Sequence, residues 1–367
     1  MKLTQLESLR GAMALWVFVS HALPSAGIDR DSANLFYKLF LSGGLAVDVF
    51  IILSGFVITL TLNKQYLANT YTYIDYIKAR FFRIFPILFV TTIFAALLIN
   101  VSISALETLP WEIKQNFTRL EYLDASRSNI YTHIVAHMSM MHGVLDFILP
   151  YSSYSINGPA WSISLEWQFY LIAPFIIGVI FKNKIACRLT TFVVVVAVFM
   201  TFIRYFYSYP SFLPNKIEFF IVGIFSYLIY EKFKNTAIAL HYFIILISVV
   251  FLLTKSIPLF IWSLFLWLIL DSSSTLSRRV SCLVNIHIFQ SFGKMSYSFY
   301  LIHMPVIYLS MYGINLYFTN LSQMDYLLCL LFSSFSITLL ISYFLYEYVE
   351  KSFIKIGKKI KLNRGSI

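Results

Sequence analysis

Arg10 and His21 stand eleven residues apart in a run, Leu9 to His21, that is otherwise made of apolar and small residues. At 100° per residue the spacing comes to three turns plus about 20°, so in a helix the two side chains share one face about 16 Å apart. Ionisable groups inside such segments are costly and mark functional positions by default. Two carboxylates have similar settings: Asp48 within Gly43-Gly44-Leu45-Ala46-Val47-Asp48-Val49-Phe50, and Glu166 within Trp161-Ser162-Ile163-Ser164-Leu165-Glu166. A carboxylate beside an imidazole fixes its tautomer and raises its basicity, which a general base needs. Each residue taken alone is equally readable as a buried polar group satisfied by a neighbouring helix. Arg80 and Arg83, at i and i+3, face one way. They read either as snorkelling anchors or, with Arg10, as guanidinium forks for a polyphosphate arriving from the cytosol. His303 follows Tyr297 and Tyr300 in an aromatic run. His133, His137 and His142 show a metal-like interval only in the first pair, without a third ligand, so no metal is expected.

The elements that must position these groups are membrane spans. Of 367 residues, 59% are hydrophobic, 18% aromatic and only 12% charged, far more apolar than a soluble domain. The net charge of +11 sits in clusters between apolar runs rather than on a basic face interleaved with aromatics, so nucleic acid is not an expected partner. Cys187, Cys282 and Cys329 have no CxxC or CxxH spacing and read as inert thiols. A cleavable signal peptide is the weaker reading of the N-terminus, because Glu7 and Arg10 crowd its apolar core.

Apolar runs long enough for a bilayer fall near 9–25, 43–62, 83–101, 163–181, 188–206, 216–231, 238–254, 256–270, 289–312 and 325–347. The expected fold is all-α: a polytopic bundle of about ten transmembrane helices with both termini cytoplasmic. That orientation puts every dense basic cluster inside: 63–82, 182–188, 232–236, 271–288 and the tail. The longest outer segment, 102–162, carries Glu107, Glu112, Glu121, Asp124 and Asp146 against three basic residues. Its part 130–149 reads as a re-entrant or interfacial element. One membrane domain, 1–350, is expected to be followed by a short basic tail, 351–367. In this topology His21 lies about 6 Å from the outer end of the first span, and Asp48 and Glu166 reach a similar depth from the second and fourth.

Five segments together resemble the membrane acyltransferase-3 family. Arg10 and His21 match its basic-x10-His motif, and Ala46-Val47-Asp48-Val49-Phe50-Ile51-Ile52-Leu53-Ser54-Gly55-Phe56 is similar to G-V-D-x-F-F-x-L-S-G-F, with Ile51 in place of the second aromatic. Arg80-Phe81-Phe82-Arg83-Ile84-Phe85-Pro86 resembles R-x-x-R-I-x-P. Trp161, Ser162, Glu166, Phe169, Tyr170 and Pro174 meet W-S-x-x-x-E-x-x-F-Y-x-x-x-P, and Ser296 to Pro305 resembles S-Y-S-x-Y-L-x-H-x-P.

The resemblance implies O-acylation of a hydroxyl on a surface polysaccharide or lipid-linked glycan such as O-antigen, in the bacterial inner membrane. The acyl-CoA donor, acetyl-CoA by resemblance, would have its phosphates held by Arg80 and Arg83 with help from Arg10. His21 would remove the acceptor's proton or relay the acyl group, oriented by Glu166 or Asp48, while Trp161, Ser162, Tyr300 and His303 would contact substrate. Because the chain ends at Ile367, it resembles members without an esterase-like domain. The alternative from another class is a transporter or flippase of lipid-linked sugars, which would be expected to show inverted repeats. A membrane glycan polymerase, with large outer loops and no CoA site, is a third.

Overall fold

A computed structural model describes residues 4–31, 34–182, 204, 207–233, 255–270, 279–280, 287–318 and 320–362. The expected spans 188–206 and 238–254, and the basic loops 182–188, 232–236 and 271–288, fall wholly or largely outside these residues, as do Cys187 and Cys282. The described residues are helical with no strand. In chain order the helices are α1 (Thr4–Ser25), α2 (Leu35–Phe40), α3 (Gly43–Leu67), α4 (Tyr73–Leu97), α5 (Ile99–Glu107), α6 (Lys114–Ser128), α7 (Ile130–Met138) and α8 (Trp161–Lys182). They continue with α9 (Ile217–Phe233), α10 (Ile257–Leu270), α11 (His287–Tyr317), α12 (Gln323–Phe344), a π-helical turn (Leu345–Glu350) and α13 (Lys351–Leu362).

Among the described residues, four helices are long and apolar enough to cross a bilayer: α3, α4, α11 and the run Gln323–Lys358. The eight expected spans that fall within the described residues coincide with helices, one of them shifted: α4 begins at Tyr73, ten residues before the apolar run that announced it, because its first turns carry Asp75, Lys78 and Arg80. The outer segment also differs. It contains α5, α6 and α7, and the apolar stretch 130–149 is α-helical only to Met138, followed by turns and a short 3-10 turn at Leu145–Phe147.

The chain forms two compact units. The first gathers 1–13, 44–72 and 169–294. Its core is aromatic: Phe56 lies edge-on to Tyr227, Tyr230 and Trp262, and Phe169 stacks on Phe220 at 3.9 Å. Within this core Asn63 donates to the Tyr227 hydroxyl at 2.9 Å and the Trp262 indole N–H to Ser226 at 2.8 Å. Backbones approach closely where glycines face each other. A Cβ on Gly223 would lie 2.1 Å from the Ile52 carbonyl, and one on Gly55 2.3 Å from that of Phe220. Small residues permit this approach between helices in lipid. Gly223→Ala should therefore destabilise this unit by about 2 kcal/mol, the usual magnitude of overpacking. Thermal unfolding in detergent, with an exposed substitution such as Ile229→Ala as the control, measures it.

The second unit gathers 14–43, 73–168 and 295–367. Here α13 lies along α4, with Gly357 against Ala79 and Phe82 and with Phe353 stacked on Phe82. Three of its aromatics, Phe18, Phe299 and Phe335, pack mutually at centroid distances of 5.6 to 5.9 Å. This unit holds His21.

Candidate active site

The C-terminal end of α1 leaves carbonyls that no following helical N–H can reach. Backbone N–H groups of the following turn bond some of them, Gly27 reaching the Pro24 carbonyl at 2.9 Å, and side chains from elsewhere add to these bonds. Asn116 of α6 donates to the Pro24 carbonyl at 3.0 Å, and Gln323 at the start of α12 donates to Ala26 and Gly27 at 3.2 and 2.9 Å. Gly27 adopts a positive φ of 80°, which ends the helix and lets Trp111 close over it. The last turn of α1 is thus clamped from two sides, and His21 is one turn before the clamp.

Arg119, one turn after Asn116 on α6, completes the arrangement. Its Nη1 donates to Ser25 at 3.0 Å and to Asn116 at 3.2 Å; its Nη2 donates to the His21 carbonyl at 3.3 Å and to the His21 ring at Nδ1, 3.1 Å away. Burial holds this guanidinium below its ordinary range. Among the described residues no carboxylate pairs with it, and none touches the His21 ring. The expected carboxylate neighbour of His21 is replaced here by a cation, because α6 folds back across the end of α1 instead of standing off as an outer loop.

The second neighbour of His21 is His303 of α11, with ring centroids 5.3 Å apart. His303 is 1% exposed, and its Nδ1–H donates to the Tyr300 carbonyl at 2.6 Å. Pro305, two residues on, has no N–H, so the Leu301 carbonyl loses its helical partner. Asn157 donates to that carbonyl at 2.9 Å and brings the loop before α8 against α11. There the Tyr300 hydroxyl donates to the Pro159 carbonyl at 3.0 Å and meets the Ser162 hydroxyl at 2.9 Å. Ser162 and Tyr300, distant in sequence, thus meet, and the Tyr300 ring lies 5.9 Å from that of His303, the neighbour of His21. Trp161 opens α8, half-buried, and Glu166 is one turn further along.

The loop before α8 is held by the histidines that made no metal motif. His137 and His142 stack at 4.1 Å with planes 6° apart; His137 bonds the His133 carbonyl and His142 the Ala160 carbonyl. Lone pairs lie in ring planes, so parallel rings cannot both aim at an ion between them. These rings lie outside the spans, and burial keeps both neutral, pulling His137 down to about 4. A folded pKa below the unfolded value contributes stability that is complete above 6.5 and is lost as pH falls toward 4. The melting temperature in detergent should accordingly drop across that interval, and His137→Gln should flatten the drop.

The arginines are placed differently from one another. Arg83 pairs with Glu350 at 2.8 Å, and the second carboxylate oxygen accepts from Ser298 at 2.8 Å. Glu350 ends the π-helical turn and its side chain is 0% exposed, against 32% for Arg83. Arg80 lies over the ring of Tyr76 at 5.5 Å. The two remaining candidates are in the first unit. Arg10 pairs with Glu7 at 3.2 Å, and Asp48 pairs with Lys216 at 2.6 Å.

Sequence reasoning missed Arg119, Glu350, Lys216 and Asn157. Arg119 had one signal, a base in a mostly acidic outer segment; Glu350 had another, a carboxylate at the end of an apolar run.

Apolar helices long enough for a bilayer, carrying buried and interconnected His, Arg and Tyr side chains, define a helical membrane protein. A family model described as an acyltransferase domain matches residues 3–343, and the chain belongs to this acyltransferase-3 family. No curated protein and no solved structure matches it.

Proposed function

We propose that this protein is an O-acyltransferase of the bacterial inner membrane, moving an acyl group, acetyl in the first instance, from cytosolic acyl-CoA to a glycan hydroxyl. The acceptor is a surface polysaccharide or lipid-linked unit such as O-antigen. The topology read from the sequence supports about ten spans with both termini cytoplasmic, forming one membrane domain with a basic tail. It puts Arg10, Arg80 and Arg83 at the inner surface for the CoA phosphates, and His21 near the outer one. The observation that carries the reading is the meeting of His21, His303, Tyr300 and Ser162 in one cluster of a chain from an acyltransferase family. They come from three motifs far apart in the chain, Tyr300 and His303 sharing one of them. Glu166 belongs to the same unit, where its charge acts on Tyr300, whereas Asp48 pairs with Lys216.

The test has two parts. Purified protein should be stabilised thermally by CoA, and surface glycans from cells with and without the gene should differ by an acetyl increment in mass spectrometry. Absence of both would remove the proposal.

A further inference from the structure

The two histidines at the centre of this cluster hold their protons on different nitrogens. Arginine only donates hydrogen bonds, so the His21 Nδ1 facing Arg119 is an acceptor and the neutral ring carries its proton on Nε2. A carbonyl only accepts, so the His303 Nδ1 facing Tyr300 carries the proton and its Nε2 holds a lone pair. That Nε2 is buried and makes no hydrogen bond. The rings are neighbours, centroids 5.3 Å apart and planes 39° apart. One ring therefore offers a donor and the other an acceptor. A buried acceptor without a partner is costly and calls for an explanation, such as a ligand hydroxyl that supplies the missing proton.

We propose that His303 is the catalytic base and His21 the hydrogen-bond donor to the reacting carbonyl, with Arg119 a positioning residue that fixes the His21 tautomer. This rests on the acyl-transfer reading. The acceptor hydroxyl gives its proton to His303 Nε2 as its oxygen bonds to the thioester carbon. The carbonyl π pair moves onto oxygen, where His21 Nε2–H holds it. When the tetrahedral intermediate collapses, the C–S bond breaks and the thiolate takes the proton from His303, leaving an ester and CoA. Arg119 has a further effect. Its charge has no carboxylate partner among the described residues, and it stands behind the ring that faces the developing oxyanion.

Nitrogen-15 NMR of full-length protein labelled at histidine, in nanodiscs, reads the tautomers directly, with His21→Gln and His303→Gln used to assign the signals. His21 should be protonated at Nε2 and His303 at Nδ1; the reverse at either ring overturns the proposal. Arg119→Lys should keep the His21 tautomer and Arg119→Met should lose it. An unchanged His21 tautomer in Arg119→Met removes Arg119 from the proposal. In acetyl transfer, His303→Gln should lower kcat about 10³-fold, the usual worth of a general base. His21→Gln, whose amide N–H can stand in, should lose only about 10-fold, within the range for replacing rather than deleting an oxyanion donor. The opposite order overturns the assignment of roles. Wild-type protein that shows the expected tautomers but transfers no acyl group would overturn the acyl-transfer reading, and the roles with it, while leaving the ring assignments standing.

Discussion

His21→Ala should lower acyl transfer about 10³-fold, since deleting a preorganised donor at a reacting carbonyl costs on the order of 10² to 10³ in rate and the open space left here also loosens the site. Truncation removes the ring that stands between Arg119 and His303 and leaves Arg119 without its Nδ1 acceptor. The fold should survive. Arg119 keeps Ser25, Asn116 and the residue-21 carbonyl, and the clamp on α1 runs through Asn116 and Gln323 rather than through the ring. Transfer of radiolabel from acetyl-CoA into the glycan fraction of membranes containing equal amounts of wild-type and variant protein is the measurement. Unchanged labelling would exclude His21 from the reaction.

Arg83→Ala should be among the most destabilising single substitutions in the molecule, by about 3 kcal/mol, because it strands a wholly buried carboxylate. Glu350 would keep its bond from Ser298 but lose the opposite charge that pairs with it. Adding Glu350→Gln should recover most of the loss, since an amide can bond Ser298 without carrying a charge, and the strong coupling in this double-variant cycle is the signature of the pair. The same variants separate the two sequence readings of Arg83. If its guanidinium also holds CoA phosphates, Glu350→Gln alone should keep thermal stabilisation by CoA, and the double variant should lose it. A double variant that responds to CoA like wild type would make Arg83 an anchor of the last helix and nothing more.

Much of this molecule is legible without coordinates. Hydrophobic length announces the helices, since only a helix satisfies its own backbone in lipid, and the family follows from motifs made of residue types that apolar helices do not need. Helical periodicity puts Arg10 and His21 on one helix, α1, and the structure has that helix. Other features escape the sequence for identifiable reasons. The helix α6 is polar enough to pass for a loop, and Asn116-Phe117-Thr118 resembles a glycosylation signal although Asn116 is buried in a bond to Pro24. Arg119 counted only as a loop charge. Its meaning depends on α6 turning back onto the end of α1.

The sequence by itself determined a membrane-embedded, all-helical acyltransferase-3 protein and named its candidate site residues, because composition, period and motif spacing are local properties of a chain. Tertiary structure alone decided the partners: Arg119 rather than a carboxylate on His21, Glu350 on Arg83, Lys216 on Asp48. A hydrogen bond or ion pair between residues 98, 168 or 267 positions apart leaves no periodic trace, and whether a buried imidazole offers a proton or a lone pair is set by which of those partners faces it.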